Sequence, residues 1–282
     1  MPLVTSEKML LDAQKGGYAV GAFNAENLEM AQAIVAAAEE LHAPVMIQTT
    51  SSTLKYASPK IYRDMVAAIA ESSSAPVCMH LDHGDSVETC MRALRAGYTS
   101  LMIDGSHMPY EQNVAEVSVV ARAGRACGVP VEAELGKVGG KEDDLDGGNG
   151  GYTVPEEALD FVNRTGVTSL AVAIGTAHGV YKGVPKLDIE RLKAIRKLVE
   201  IPLVLHGASG LSDQAVRDCI AEGICKVNFA TELRIAYTDA VRAFLGADAK
   251  AFDPKKYGAP GREAVKRLVM ERMRVCGCDG KA

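Results

Sequence analysis

The stretch Pro76–Gly84, PVCMHLDHG, contains the unit that decides the fold. It begins with a proline, continues as an apolar run and ends in polar groups, and a serine (Ser86) and a glycine (Gly97) then bracket a helical pattern. Continuous apolar runs are typical of buried parallel strands, where proline is tolerated at the first residue. Serine and glycine are favoured at helix starts and ends. The stretch therefore predicts one strand, and the residues that follow it, up to Gly97, predict one helix.

The same unit recurs along the chain. Eight apolar runs predict eight strands, namely Tyr18–Phe23, Pro44–Thr49, Pro76–Leu81, Ser100–Ile103, Val129–Leu135, Ser169–Gly175, Pro202–Leu205 and Cys225–Phe229. Helical spacing of apolar residues lies between them, in Asn27–Leu41, Ser86–Ala96 and Leu187–Val199. Strand and helix repeated eight times predict an α/β fold, a (β/α)8 TIM barrel. We expect one domain over residues 1–282, with extra helices near Ser6–Gln14 and after Glu232; an open doubly wound sheet is the alternative.

Composition excludes several classes of protein. The chain has 282 residues, is 48% hydrophobic and 24% charged, and carries a net charge of −5, which argues against disorder and offers no basic surface for nucleic acid. No apolar stretch reaches about 18 residues, so we expect no membrane span. The N-terminus lacks the pattern of a signal peptide, and the seven scattered cysteines favour reduced thiols in a cytoplasmic protein. The pair Cys276 and Cys278 lacks the partners of a zinc site.

One insertion interrupts the repeat. Residues 136–151 contain seven glycines and an acidic stretch, between the fifth run and the next helix. Long loops without secondary structure in compact domains are usually functional or disordered. Because this one follows a barrel strand, we interpret it as a mobile lid over a site; a surface loop is the alternative.

Chemically useful residues collect at the predicted carboxyl ends of the strands, where barrel enzymes have their active sites. His83, His178 and His206 follow three different strands and could converge on one metal ion, leaving a position for substrate. Asp82 could exchange protons there or orient a histidine. His80 is interpreted as a packed neighbour, and His107 remains open. Further carboxylates lie nearby: Asp104 and Glu134 could form a second metal station, and Glu142 lies on the predicted lid.

Two glycine- or hydroxyl-bearing segments suggest phosphate binding. Residues 207–210, GASG, follow the seventh predicted strand, and Asn228–Thr231 follow the eighth. Barrels commonly bind phosphate through these two loops and a helix N-terminus. A tight turn is the alternative for either segment alone.

These residues together carry a recognisable pattern. The ordered motifs are Gly21–Asn24, His80–Gly84, Met102–His107, Val131–Gly136 with Gly139 and Gly140, Gly175–Gly179, His206–Gly210 and Lys226–Asn228. From Leu3 to about Val275 the chain resembles the class II, metal-dependent ketose-bisphosphate aldolases, which cleave fructose or tagatose 1,6-bisphosphate.

The resemblance implies a zinc-dependent TIM barrel that acts on a phosphorylated ketose as a homodimer or homotetramer. It places the zinc ligands at His83, His178 and His206, the acid/base for the C4 hydroxyl at Asp82, and the proton exchanger at C3 of the triose at Glu142. Asp104 and Glu134 match an alternative metal station, and a monovalent cation (Na⁺ or K⁺) is a further family trait. The substrate contacts that it implies are Asn24, Thr50, Gly179, Gly207, Ala208, Ser209, Asn228, Phe229, Ala230, Thr231 and Lys255.

Two motifs indicate different epimers of the sugar substrate. Thr50 resembles the tagatose branch, whereas the sequence from Asp82 to Ser86 looks more like the fructose branch, which we favour. Lys255 stands where many relatives have an arginine, thought to hold the distal phosphate from a neighbouring subunit; lysine keeps the charge but loses the bidentate geometry. Another phosphorylated ketose or a non-catalytic accessory subunit is less favoured.

Overall fold

Eight parallel strands close into a barrel in the computed structural model, which describes residues 3–142, 145–148, 151–181 and 183–282. The barrel strands are β1 (Val20–Asn24), β2 (Val45–Thr50), β3 (Val77–Gly84), β4 (Ser100–Ile103), β5 (Val131–Leu135), β8 (Ser169–Val172), β10 (Leu203–Leu205) and β11 (Ile224–Phe229). Each of the eight predicted runs overlaps one of these strands. The sequence of neighbours around the barrel follows the chain, and β11 closes against β1. The predicted TIM barrel is confirmed, and the open sheet is wrong.

Helices surround the barrel, and those predicted over Asn27–Leu41, Ser86–Ala96, Leu187–Val199 and near Ser6–Gln14 are present. They are α1 (Ser6–Gly16), α2 (Leu28–Glu40), α3 (Ser51–Tyr56), α4 (Pro59–Glu71), α5 (Val87–Ala96), α6 (Tyr110–Cys127), α7 (Pro155–Thr165), α8 (Ile189–Leu198), α9 (Asp213–Ala221), α10 (Thr231–Ala247) and α11 (Pro254–Cys276). Ser86 Oγ accepts the Thr89 N–H at 3.2 Å, and Gly97 ends α5 in the left-handed conformation, as predicted. No helix in the described part of the chain is both long and apolar enough to cross a membrane.

Most side chains buried in and around the barrel are apolar, but a few polar ones are buried with them. The rings of Phe23 and Phe229 stack with centroids 5.5 Å apart, and the guanidinium of Arg272 on α11 lies over the Phe229 ring, so this pair packs on the helix side of the barrel wall. His80, Glu132 and Lys226, on β3, β5 and β11, are almost completely buried. Six of the seven cysteines are also buried, as expected for core residues, and Cys127 is exposed. Buried charges of this kind are costly unless they are paired, so their partners indicate why they are there.

The insertion is not structureless, which corrects the prediction of a loop without secondary structure. Its residues form β6 (Gly139–Glu142) and β7 (Leu145–Gly148), which pair as an antiparallel hairpin. β6 also pairs in parallel with β9, a strand of two residues, Ala177–His178. We call the sheet β7–β6–β9 the accessory sheet. The backbone of Glu142 ends β6, and its side chain lies outside what the structure describes.

Candidate metal centre and active site

The three predicted ligand histidines meet at the mouth of the barrel. His83 is the penultimate residue of β3, His178 ends β9 and His206 follows β10. The ring centroids of His83 and His206 are 4.7 Å apart, and the ring of His178 lies 5.0 Å from His83 and 6.0 Å from His206. One nitrogen of each ring lies within 4.8 Å of the others. The arrangement brings together residues that are far apart in the sequence.

His83 is aimed into the mouth by its backbone and held by a carboxylate. Its φ of 43° lies in the left-handed region, which is unusual for a residue other than glycine and is found where the surroundings impose it. Its Nδ1 lies 2.8 Å from Oδ2 of Asp104. Although burial raises the pKa of Asp104, the hydrogen bond with His83 outweighs it and holds that pKa well below its usual range. Asp104 is therefore an anion that keeps the proton of His83 on Nδ1.

His206 is held in the same way, but through its other nitrogen. Nε2 of His206 lies 2.9 Å from Oε1 of Glu132, which extends from β5. The Nζ atom of Lys226 lies 3.0 Å from Oε2 of Glu132. Burial raises the pKa of Glu132, but Lys226 and His206 outweigh it and lower that pKa overall. Glu132 therefore accepts the Nε2 proton of His206, and the free lone pair of that ring is on Nδ1.

The unprotonated nitrogens of His83 and His206 face each other, and this arrangement suits a metal ion. His83 donates its ring proton to Asp104, and His206 donates its ring proton to Glu132. The other two nitrogens, Nε2 of His83 and Nδ1 of His206, face each other at 2.9 Å. Two lone pairs at this distance repel unless a cation lies beside both. Imidazoles oriented by carboxylates are the usual surroundings of a bound metal. Three imidazole donors with room for a further ligand suit zinc, so the site fits that ion.

A second donor set shares His83. Its imidazole and the carboxylates of Asp104 and Glu134 also present ligand atoms within 4.8 Å of one another, and all three residues are buried. Burial and then the charge of Asp104 raise the pKa of Glu134 to about 7. Two buried carboxylates this close repel each other, and a divalent cation bound between them would relieve that repulsion.

Asp82 is fixed beside the histidines by three side-chain amides. Its Oδ2 accepts from Nδ2 of Asn24 at 3.2 Å and from Nε2 of Gln48 at 3.0 Å, and its Oδ1 accepts from Nδ2 of Asn228 at 3.0 Å. Asn228 Nδ2 also lies 3.2 Å from Nε2 of His206. Strands β1, β2 and β11 thus each contribute one amide, which sets the position of the carboxylate on the edge of the histidine cluster.

The two predicted phosphate segments are adjacent. Oγ of Ser209 accepts the N–H of Ala230 at 3.2 Å, which joins the loop after β10 to the start of α10. Gly207 and Gly179 both have left-handed backbones, with φ of 66° and 87°. Ala208 is buried, and Thr231 is the first residue of α10. The hydroxyl of Thr50 caps α3 and contacts that of Thr53 at 3.0 Å.

The remaining residues considered from the sequence differ in their burial and contacts. The Phe229 side chain is buried against Phe23, so only its backbone is available to a substrate. Lys255 lies at the start of α11 with an exposed side chain that pairs with Asp253 at 3.0 Å. His107 is exposed after β4, whereas His80 is a packed neighbour as predicted, with Nδ1 2.8 Å from Oγ of Ser100.

Comparisons with known proteins show the family of the chain. The family described as fructose-bisphosphate aldolase class II matches residues 4–281. A curated fructose-bisphosphate aldolase of Geobacillus stearothermophilus is 46% identical over 100% of this chain and 99% of its own length. The chain belongs to the class II fructose-bisphosphate aldolase family. It is therefore an aldolase, a lyase of a family that is generally zinc-dependent.

Solved structures of an aldolase and of a putative aldolase have the same architecture. The YdjI aldolase from Escherichia coli K12 superposes with a TM-score of 0.89 at 38% identity and covers 99% of both chains. A putative fructose-1,6-biphosphate aldolase from Coccidioides immitis has a TM-score of 0.90 at 31% identity, over 97% of this chain and 96% of that one. The barrel and its extra helices are therefore shared across the length of the chain.

Two residues of this class II aldolase site were missed by sequence reasoning. Gln48 lies inside β2 and holds Asp82, and Glu132 lies inside β5 and holds His206. Both occur in otherwise apolar runs, and a polar residue in a buried strand was the available signal. The sequence does not show which polar group across the barrel such a residue would meet.

Proposed function

We propose that this class II aldolase reversibly cleaves fructose 1,6-bisphosphate to dihydroxyacetone phosphate and glyceraldehyde 3-phosphate. The observation that carries the proposal is that Nε2 of His83 and Nδ1 of His206 face each other at 2.9 Å, while Asp104 and Glu132 bind the other nitrogen of each ring. The similarity to a fructose-bisphosphate aldolase of Geobacillus stearothermophilus and to a putative fructose-1,6-biphosphate aldolase of Coccidioides immitis also favours the fructose epimer. The tagatose epimer is the alternative, because Thr50 resembles the tagatose branch.

His83, His178 and His206 would hold Zn²⁺, the first through Nε2 and the last through Nδ1. Zn²⁺ supplies a Lewis acid that stabilises the negative charge left on the triose fragment when the C3–C4 bond breaks. Asp104 and Glu132 contribute by fixing the proton positions on two of these rings before the ion binds. This prior orientation reduces the reorganisation that ion binding requires.

Asp82 would act as the base that removes the proton from the C4 hydroxyl. General bases must lie within hydrogen-bond reach of their proton, and the three amides leave the Asp82 carboxylate little freedom to move away. Glu142 would exchange the proton at C3 of the triose. Its place at the end of β6, in a hairpin paired with the strand of His178, supports this role.

The loops after β10 and β11 would hold the triose phosphate. Gly207, Ala208, Ser209 and Gly179 on one side, and Asn228–Thr231 on the other, offer backbone N–H groups and hydroxyls to an anion, with the start of α10 behind them. Asn24 and Thr50 lie on the neighbouring strands. Holding the phosphate would align C3 and C4 with the carboxylates, and alignment of this kind lowers the entropic part of the barrier.

The remaining ligands and partners follow from the resemblance. Asp104 and Glu134, with His83, would form a station for a second divalent ion, supported by their proximity. A monovalent cation, Na⁺ or K⁺, would bind near the triose phosphate. In a homodimer or homotetramer, Lys255 would reach the distal phosphate of a substrate bound in the neighbouring subunit. Its exposed position at the start of α11 allows this contact.

The decisive experiment measures kcat/KM for cleavage of fructose and tagatose 1,6-bisphosphate in parallel, with and without a chelator. We expect chelator-sensitive cleavage that zinc restores, with the fructose epimer faster. A faster tagatose reaction would keep the site assignment and change the substrate. Cleavage of neither sugar after zinc has been restored would contradict the proposed function.

A further inference from the structure

His178 is held differently from the other two ligand histidines. The barrel strand β8 ends at Val172, and His178 lies in β9, which belongs to the accessory sheet. β9 pairs with β6 in parallel, and Gly140 is the partner of His178 in that pairing. The backbone of this histidine is thus positioned by the hairpin that carries Glu142.

Contact between the hairpin and His178 is close enough to require glycine. Gly140 has a φ of 78°, and a Cβ atom placed on it would overlap the carbonyl oxygen of His178 and lie 2.9 Å from its nitrogen. Real Cβ atoms essentially never come this close to backbone atoms. Any shift of β6 towards β9 must therefore move the backbone of His178.

The opposite side of β9 is equally tightly packed. A Cβ atom on Gly207 would lie 2.7 Å from the carbonyl oxygen of Ala177. The hydroxyl of Tyr181 accepts the Ala177 N–H at 2.8 Å and donates to the carbonyl oxygen of Gly207 at 2.7 Å. β9 is held between the loop after β10 and the hairpin, so it has little room to yield on either side.

We infer that Gly140 is a positioning residue that couples the β6–β7 hairpin to the metal ion through the backbone of His178. An ion bound by His178 fixes β9, and β9 fixes the register of β6. Conversely, a displaced β6 withdraws His178 from the ion. Such coupling is reciprocal, because two events that stabilise the same arrangement must each favour the other. The inference rests on the proposed function, since it takes His178 as a ligand.

This coupling has a consequence for the chemistry. The backbone of Glu142 lies two residues beyond Gly140 on β6, about 7 Å along an extended strand. The ion that stabilises the triose fragment therefore also determines where the proton exchanger is presented. Without the ion, the hairpin would lose the restraint that His178 transmits to it.

The first test measures hydrogen–deuterium exchange in peptides covering residues 136–148 of the wild-type protein, with Zn²⁺ and with a chelator. Couplings between sites typically amount to factors of 5 to 150, so we expect exchange in β6 to slow about 10-fold when Zn²⁺ is bound. Wild-type protein that binds Zn²⁺ with no change in this exchange would overturn the inference. Wild-type protein that takes up no Zn²⁺ would overturn the proposed function as well, so the two failures are distinguishable.

The second test compares Gly140→Ala with Gly151→Ala. Gly151 lies at the other end of the same insertion, and a Cβ atom there meets only Cβ of Lys137 at 3.9 Å, so this variant is a matched control. We expect Gly140→Ala to bind Zn²⁺ about 10 to 100 times more weakly in competition with a chromophoric chelator, and Gly151→Ala to bind like wild type. Equal affinity in Gly140→Ala would overturn the inference. Circular dichroism verifies the fold, and if Gly140→Ala does not fold, the wild-type exchange experiment decides.

Discussion

The barrel mouth and the accessory sheet each contribute to one candidate active site, but they hold their residues by different means. In the barrel mouth, His83 and His206 are buried and bonded to Asp104 and Glu132, and Asp82 is bonded to three amides. In the accessory sheet, His178 is half-buried and its backbone is placed by a hairpin of two four-residue strands.

The difference separates two requirements of the proposed reaction. Residues that must be correctly oriented before substrate arrives are fixed by buried side-chain networks, which have few alternative arrangements. Glu142, which would act on the product fragment, lies on a hairpin of two four-residue strands outside the barrel, and small elements of this kind are among those that open locally. The comparison predicts that changes in the barrel mouth lower the cleavage activity more than changes in the accessory sheet.

The largest effect is expected for His206→Ala. This change removes a proposed zinc ligand whose orientation Glu132 maintains, and with it a Lewis-acid contribution that would amount to several kcal/mol. We expect kcat/KM for cleavage to fall by about 10⁴ or more, since about 1.4 kcal/mol corresponds to a factor of ten. Bound zinc measured by atomic absorption should fall in parallel. His178→Ala tests the comparison, and a greater loss of zinc in that variant would reverse it.

Asp82→Ala should separate catalysis from metal binding. Removing the proposed base should lower kcat by about 10² to 10⁴, the usual range for general acid–base catalysis. Zinc content should stay near the wild-type level, because Asp82 is not one of the proposed ligands and is held by three side-chain amides. Asp85→Ala, which removes an exposed carboxylate three residues later, is the control. An active Asp82→Ala protein would remove Asp82 from the mechanism.

Glu142→Ala tests the accessory sheet without touching the ligands. We expect exchange of the C3 proton of dihydroxyacetone phosphate with solvent to slow by about 10², while binding of that triose changes little. Proton exchange is followed by NMR in deuterated water, and binding by calorimetry. Exchange at the wild-type rate would show that another group carries the proton.

Glu132→Gln should give the smallest functional effect and a separate effect on stability. Loss of the carboxylate that orients a metal-bound histidine typically costs a factor of about 10 to 100 in metal affinity. It also leaves the buried ammonium of Lys226 without its anion, which we expect to destabilise the fold by about 3–5 kcal/mol. Combining it with Lys226→Met should restore most of the stability, measured by urea unfolding, but not the zinc affinity. Restored zinc affinity in the double variant would assign the loss to unfolding.

Much of this architecture could be predicted because its signals are local. The run of apolar residues in β3, the cap at Ser86 and the stop at Gly97 each act within a few residues, and they recur often enough to define eight strands and their helices. Strand ends of a parallel barrel meet at one mouth, so His83 and His206 could be predicted to lie together before any distance was known.

The amino-acid sequence by itself determined the barrel, the family and which polar residues stand at the strand ends, because periodicity and motif order are properties of the chain. Only the tertiary structure decided that Glu132 meets His206, that Gln48 meets Asp82, and that the glycine-rich insertion pairs with the strand of His178. These partners are separated by tens of residues in the chain. Their pairing depends on barrel closure and on close backbone approach, which no local propensity encodes.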